Sequence, residues 1–122
     1  CSEMISRKVD DVDSFHGNED SELRPLFYPE NTKNEIHYSL AHSIILPGKR
    51  TKKHKMKSTE VYFVLEGEGM IHVGGESEKI IKNQSIYVPP HTEQYIENTG
   101  SADLKVLCIV DPAWKQEDEI LE

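Results

Sequence analysis

The sequence predicts an all-β domain, a double-stranded β-helix barrel of the jelly-roll kind. Helical periodicity is nearly absent, and short runs rich in Val, Ile, Tyr and Phe recur along the chain. Turn-forming residues separate these runs at regular spacing, among them Pro47-Gly48, Gly74-Gly75 and Pro89-Pro90. Many short strands joined by such turns are typical of a sandwich or barrel.

The composition is that of one globular domain. The chain has 122 residues, of which 36% are hydrophobic and 30% charged, and this length suits a single core. The longest apolar runs, Val61–Leu65 and Val106–Val110, have the length of strands, far short of the roughly 20 residues that cross a bilayer. The net charge of −8 argues against nucleic acid as a partner, because phosphate binding needs cationic surface.

Cysteine usage predicts a reducing compartment. Cys1 is terminal and Cys108 lies in an apolar run, so no disulfide framework is implied. A cytoplasmic location is therefore the expectation.

Ten strands are predicted, in chain order. They are Met4–Val9, Leu23–Tyr28, Ile36–Leu46, Thr51–Met56, Val61–Leu65, Met70–Val73, Glu78–Ile81, Ile86–Val88, Gln94–Glu97 and Leu104–Val110. The polar segment Asp10–Glu22 is predicted to be a loop, and the acidic tail Asp111–Glu122 a short closing helix. We expect residues 1–35 to form an N-terminal arm with strands that pack on the barrel. Residues 36–114 would form the barrel itself, and residues 115–122 the acidic tail.

Strand parity brings several polar side chains to one face. Residues two apart in a strand share a face, so His54 and Met56 point the same way. Glu60 and Tyr62 share a face of the following strand. If His54 faces inward, an imidazole, a thioether and a carboxylate meet inside the barrel.

The lysines that alternate with His54 and Met56 would then face outward. They belong to a basic cluster made of Lys49, Arg50, Lys52, Lys53, Lys55 and Lys57. Two interpretations are open: a solvated strand face, or a surface that steers an anionic small molecule toward a nearby pocket. The remaining strand histidines, His37, His42 and His72, are predicted to be surface or packed residues.

These patterns together resemble the cupin superfamily, in its small single-domain form. The run PGKRTKKHKMKSTEVYFVLEGEG is similar to the first cupin motif, G-x5-H-x-H-x3-E-x6-G, at Gly48, His54, Glu60 and Gly67, with Met56 in place of the second His.

The run NQSIYVPPHTEQYIENTG is similar to the second motif, G-x5-P-x-G-x2-H-x3-N, at Pro89 and Asn98. Asn83 and His91 stand at the two glycine positions, and Gln94 at the histidine position. Asn and His are among the residues that best tolerate a positive φ, so these two exchanges are mild.

The resemblance implies a divalent transition metal, such as Zn, Ni, Cu or Fe. Carried over position by position, its ligands would be His54, Met56, Glu60 and Gln94. Met56 and Gln94 are weaker donors than imidazole, so three interpretations stay open: a weakened metal site, a metal-free pocket that binds by hydrogen bonds, and a vestigial pocket of packed residues.

The expected function is that of a small-molecule enzyme or binding protein acting inside the barrel. His54 and Glu60 are the candidate catalytic acid–base pair. The candidate pocket-lining residues are Tyr62, Val88, Ile96 and Cys108. The alternative is a non-catalytic, metal-free ligand-binding or sensing module.

We also expect a homodimer, with no nucleic-acid or membrane partner. The resemblance implies it, and a small open barrel leaves sheet edges that need covering. The strand Met4–Val9 is the element predicted to join a partner's sheet.

Overall fold

Two facing β-sheets form the molecule. The computed structural model describes residues 3–16, 21–115, 117 and 119–121. Its strands are β1 (Phe15–His16), β2 (Glu22–Phe27), β3 (Ser39–Ile45), β4 (His54–Met56), β5 (Thr59–Glu66), β6 (Glu68–Val73), β7 (Glu76–Ile81), β8 (Ser85–Val88), β9 (Gln94–Asn98), β10 (Leu104–Asp111) and β11 (Glu119–Leu121). One sheet has the order β1-β2-β3-β10-β5-β8, and the other has the order β11-β4-β9-β6-β7. This is the jelly-roll architecture that the sequence predicts.

The core lies between the two sheets and follows strand parity. In β5 the residues Glu60, Tyr62 and Val64 are buried, and the residues between them are half-buried. β10 alternates in the same way and pairs with both β3 and β5. The inward side chains form one apolar cluster, which consists of Ile45, Tyr62, Val64, Ile71, Ile80, Val88, Ile96, Leu104, Val106 and Cys108.

Tight turns and close strand crossings fix where these sheets bend. Asn83 and His91 have φ values of 72° and 60°, as expected for the two positions where the cupin pattern has glycine. At Gly69 an added Cβ would lie 2.3 Å from the carbonyl oxygen of Glu97, so only glycine lets β6 approach β9 so closely.

The N-terminal arm does not form the predicted strand Met4–Val9. Residues 3–8 have no regular structure, and a 3-10 helix spans Val9–Asp11. Arg7 in this segment donates a hydrogen bond to the carbonyl oxygen of Leu26 (3.2 Å) and stacks over the ring of Phe27 (4.7 Å). The arm therefore meets β2 through a side chain, and the pairing of Met4–Val9 with a partner's sheet stays a prediction.

Two further local predictions are corrected. The predicted loop Asp10–Glu22 contains β1, which pairs with β2. In place of a closing helix, the tail forms β11, which pairs antiparallel with β4 over Glu119–Leu121. On its other side β4 pairs with β9 at one position, His54 with Gln94. β11 therefore covers backbone groups of β4 that an edge strand would leave unpaired.

His42 is a packed residue on β3, as expected. It is buried, and its Nδ1 has no hydrogen-bond partner among the described residues. Burial lowers the pKa of His42, and the positive charges of Arg24 and Lys105 lower it further. Asp10 and Glu66 oppose this effect. His42 is therefore held in its neutral form.

No helix in the described part of the chain has the length and apolar character needed to cross a membrane.

Candidate functional site

A cavity of about 230 Å³ opens between the two sheets at one end of the barrel. β2, β3, β4, β5 and β10 all contribute to its wall. The lining residues are Phe15, Leu23, Pro25, Tyr28, Glu30, Ser39, Leu40, Ala41, His54, Met56, Glu60, Cys108, Val110 and Trp114. The wall is mostly apolar, with a few polar side chains, which is typical of a small-molecule pocket.

His54 is held in one tautomer and one orientation. It is 2% exposed and lies on β4. Its Nδ1 lies 2.8 Å from the carbonyl oxygen of Lys52, and a carbonyl can only accept, so Nδ1 carries the hydrogen. In the neutral imidazole, Nε2 is then an acceptor and is the nitrogen left for the cavity.

Glu60 is the second polar group of the cavity, and a buried hydrogen-bond chain supports it. Gln94 Nε2 donates to Glu60 Oε1 at 2.9 Å. The hydroxyl of Tyr62 donates to Gln94 Oε1 at 2.6 Å. All three residues are buried, and the directions follow from chemistry, since a carboxylate accepts while a phenol donates. This Tyr62–Gln94–Glu60 chain restricts the orientation of the Glu60 carboxylate.

The other candidate site residues divide into two groups. Met56 and Cys108 line the cavity together with His54 and Glu60. Tyr62, Val88 and Ile96 lie in the apolar core instead and are absent from the cavity wall. The sequence analysis proposed Tyr62, Val88, Ile96 and Cys108 as pocket-lining residues, but an inward position on a strand does not tell whether a side chain lines the cavity or packs in the core.

Two aromatic residues of the cavity wall come from distant parts of the chain. The rings of Phe15 and Trp114 lie 6.2 Å apart. Backbone contacts hold Trp114 in place: its N–H donates to Ser39 Oγ (3.1 Å), and Ala113 N–H donates to the carbonyl oxygen of His37 (2.8 Å). The aromatic pair therefore rests on a fixed backbone.

The sequence analysis did not identify most of the residues of the cavity wall. Phe15, Leu23 and Tyr28 lie far from the motif residues along the chain, and no local pattern places them beside His54. Val110 shares the strand face of Cys108, so parity could have found it. Trp114, the only tryptophan, was a second available signal.

The basic cluster does not line the cavity. Arg50 and Lys53 lie over the ring of Tyr95, at 5.2 Å and 5.6 Å from its centroid. Tyr95 alternates with the buried Gln94 and Ile96, so this contact lies on the outer face of the five-stranded sheet. Of the two interpretations, the structure favours a solvated strand face.

Comparison with known protein families shows which family this chain belongs to. The family model of the cupin domain matches residues 41–110. The chain belongs to the cupin family. An uncharacterised protein of Methanocaldococcus jannaschii is 36% identical over 121 residues, which cover 98% of this chain and 96% of that protein.

Two other cupin comparisons are more distant. An oxalate-binding protein of Thermotoga maritima is 32% identical over 65 residues, covering 52% of this chain and 54% of that protein. This cupin therefore matches about half of that relative's length. In fold, it is similar to the crystal structure of a predicted oxalate decarboxylase of Thermotoga maritima, with a TM-score of 0.78 and 22% identity over 88% of this chain and 99% of the other.

The donor set does not fit a tightly held divalent metal. Within residues 3–16, 21–115, 117 and 119–121, no three His, Cys, Asp or Glu side chains come together as metal ligands do. His54 and Glu60 are ordinary donors, but Met56 offers only a soft, neutral sulfur. The amide oxygen of Gln94 already accepts the hydroxyl of Tyr62, and its NH2 faces Glu60. Gln94 could become a metal ligand only if its amide oxygen gave up the hydrogen bond from Tyr62.

Proposed function

We propose that this cupin binds a small molecule in the cavity without a metal ion. The observation that carries the proposal is the make-up of the site: a mostly apolar, partly aromatic wall that includes two buried polar side chains, His54 and Glu60. A cavity of about 230 Å³ is large enough for a ring-sized molecule, because a dry engineered cavity of about 150 Å³ binds benzene. His54 and Glu60 would hold the polar end of the ligand.

Trp114 provides a direct test. It is the only tryptophan and lines the cavity, so its fluorescence reports on occupancy. We expect chelator-treated protein to give a saturable fluorescence change with small aromatic alcohols such as benzyl alcohol. Ala41→Phe, which fills the cavity from β3, should abolish it, and Ile81→Phe, at an exposed position on β7, should not.

Binding that survives both Ala41→Phe and a second filling variant, Ser39→Phe, would refute the proposal. Circular dichroism and the melting temperature establish that each variant is folded. A complete lack of response with every aromatic alcohol in the wild-type protein would also refute it.

A second candidate is acid–base catalysis at the same site. The observation in its favour is the hydrogen bond that holds Nδ1–H of His54, because it leaves Nε2 as an acceptor in a cavity that Glu60 also lines, and these are the two groups that acid–base catalysis needs. Turnover of a bound ligand that is lost in both His54→Gln and Glu60→Gln would support catalysis. Tight binding without turnover would support a binding or sensing module.

We further propose a homodimer that uses the outer face of the six-stranded sheet. There the register places Ile109 beside Val61, and Val61 beside Tyr87. Ile109 is 39% exposed and Tyr87 is 59% exposed. Half-buried side chains extend this apolar surface, namely Ile44, Phe63, Leu65 and Leu107. Contiguous exposed apolar surface of this kind is typical of a protein–protein contact.

A further inference from the structure

A serine, a histidine and a glutamate are joined by hydrogen bonds on the outer face of the five-stranded sheet. Ser77 lies on β7, His72 on β6 and Glu97 on β9. The register pairs His72 with Ser77 on one side and with Tyr95 on the other. His72 Nδ1 lies 2.7 Å from Ser77 Oγ, and His72 Nε2 lies 2.6 Å from Glu97 Oε1. These side chains form the Ser77–His72–Glu97 triad, which crosses three neighbouring strands.

The chemistry of the three groups sets the direction of both hydrogen bonds. A carboxylate only accepts, so Nε2 of His72 carries the hydrogen of the 2.6 Å bond to Glu97. In the neutral imidazole Nδ1 is then an acceptor, and the hydroxyl of Ser77 donates to it. The order is therefore a hydroxyl nucleophile, an imidazole base and a carboxylate that orients the base, as in the catalytic triads of acyl transfer.

The ring of His72 has a third contact that fixes its plane. It stacks on the ring of Tyr95, with centroids 4.2 Å apart and an interplanar angle of 13°. The side chains of His72 and Glu97 are 22% and 39% exposed, whereas Ser77 is exposed. The base is thus held on both nitrogens and on one face, and the nucleophile stays open to solvent.

The hairpin between β6 and β7 directs the backbone N–H of Ser77 away from β6. Its loop has two residues between the paired Val73 and Glu76. A turn of this kind bonds its first residue to its fourth, and bonded and non-bonded pairs alternate along an antiparallel ladder. His72 and Ser77 are therefore a non-hydrogen-bonded pair, whose side chains lie close together. The N–H of Ser77 points to the side of β7 that has no neighbouring strand in the described sheet.

Ser77 also lines a second cavity, which has a volume of about 560 Å³. β7, β8 and the turn before β7 form most of its wall, and it shares no lining residue with the cavity that contains His54. Glu76 and Glu78 give this wall negative charge, which repels anionic molecules. An uncharged acyl group suits the remaining wall, whose apolar members are Ile71, Val73, Ile86, Tyr87 and Pro89.

We propose that the Ser77–His72–Glu97 triad hydrolyses small, uncharged carboxylic esters. Ser77 Oγ forms a bond to the carbonyl carbon, and its proton passes to His72 Nδ1. The ester C–O bond then breaks, and His72 returns the proton to the leaving alcohol. Water, deprotonated by the same nitrogen, attacks the acyl-serine and releases the carboxylic acid and the Ser77 hydroxyl.

Glu97 is a positioning residue in this reaction, because it balances the charge of the imidazolium that forms. The backbone N–H of Ser77 is the donor available to the oxyanion, as the N–H of the nucleophile is in serine proteases. The site goes beyond the proposed function, since it uses neither His54 nor Glu60.

Hydrolysis of p-nitrophenyl acetate by the full chain tests this proposal. We expect the wild type to release p-nitrophenol at least about tenfold faster than Ser77→Ala and His72→Phe. His72→Phe removes the base and keeps an aromatic ring against Tyr95. The matched control is Ser85→Ala, an exposed serine of the same cavity, which should hydrolyse the ester at the wild-type rate. Peptide mass spectrometry of protein quenched during turnover should find the acetyl group on Ser77.

Glu97→Gln separates positioning from a merely structural role. It should lower kcat severalfold and leave KM unchanged, because an amide cannot balance the imidazolium charge. A wild-type rate no higher than that of Ser77→Ala, or acetyl groups on lysines alone, would overturn the proposal. If a variant does not fold by circular dichroism, the acetylated residue of the wild type decides the matter. None of these outcomes bears on ligand binding beside His54.

Discussion

The double variant Met56→His, Gln94→His should convert the cavity into a strong divalent-metal site. His54 and Gln94 are paired across β4 and β9, Met56 and Glu60 line the same cavity, and Gln94 already touches Glu60 at 2.9 Å. Two added imidazoles would therefore join the imidazole of His54 and the carboxylate of Glu60. Three imidazoles with a carboxylate form a good donor set for zinc.

The size of the effect follows from binding linkage. Zinc at a thousand times its Kd stabilises the folded state by about 4 kcal/mol. For a domain of this size, each kcal/mol moves the Tm by roughly 3–6 °C. We therefore expect zinc to raise the Tm of the double variant by on the order of 10 °C or more. Without zinc the variant should melt below the wild type, because replacing Gln94 removes its buried hydrogen bond with the Tyr62 hydroxyl.

Differential scanning calorimetry with and without zinc is the assay. The matched control is Met56→Leu, Gln94→Leu, which removes the same side chains and adds no ligand. Zinc should leave the Tm of this control and of the wild type unchanged. If zinc does not shift the Tm of a folded histidine variant, the side chains at positions 56 and 94 do not converge on His54 and Glu60, and the geometry argued above is wrong.

Three further outcomes are expected. Tyr62→Phe should lower the free energy of unfolding in urea by about 1–3 kcal/mol, because it leaves the buried amide oxygen of Gln94 without the Tyr62 hydroxyl. The control Tyr38→Phe, at an exposed position, should change the free energy of unfolding by less than about 0.5 kcal/mol, and equal effects would refute the buried chain. Burial lowers the pKa of His42 below its ordinary value of 6.5. The unfolded state therefore binds the proton more readily, and the free energy of unfolding falls as the pH drops below 6.5. His42→Leu should reduce this loss of stability, and an unchanged pH profile would contradict the lowered pKa of His42. Light scattering at micromolar concentration should give a dimer for the wild type and a monomer for Ile109→Lys, whereas a wild-type monomer would rule out the proposed interface.

The framework of the site could be predicted from the sequence because it rests on local rules. Strand parity put His54 and Met56 on one face of their strand, and Glu60 and Tyr62 on one face of the next strand. All four side chains are buried. Backbone chemistry predicted that position 83 tolerates a positive φ, which Asn83 adopts. These properties depend on near neighbours along the chain.

The chemistry of the site could not be predicted in the same way because it rests on long-range contacts. The sequence offered Gln94 as a weak metal ligand, yet its amide is bound on one side to Tyr62 and on the other to Glu60. These partners are 32 and 34 residues away. Likewise, no periodicity brings Phe15 to Trp114. One sequence cannot specify which of several inward polar groups bond to each other.

The central claim, that the pocket works without a bound metal, is tested most directly by elemental analysis. Protein would be purified without chelator, reloaded with Zn, Ni, Cu or Fe, and separated from free ions by gel filtration. The account predicts metal far below one ion per chain for every element. One ion per chain that disappears in both His54→Ala and Glu60→Gln would contradict it, because His54 and Glu60 would then be metal ligands.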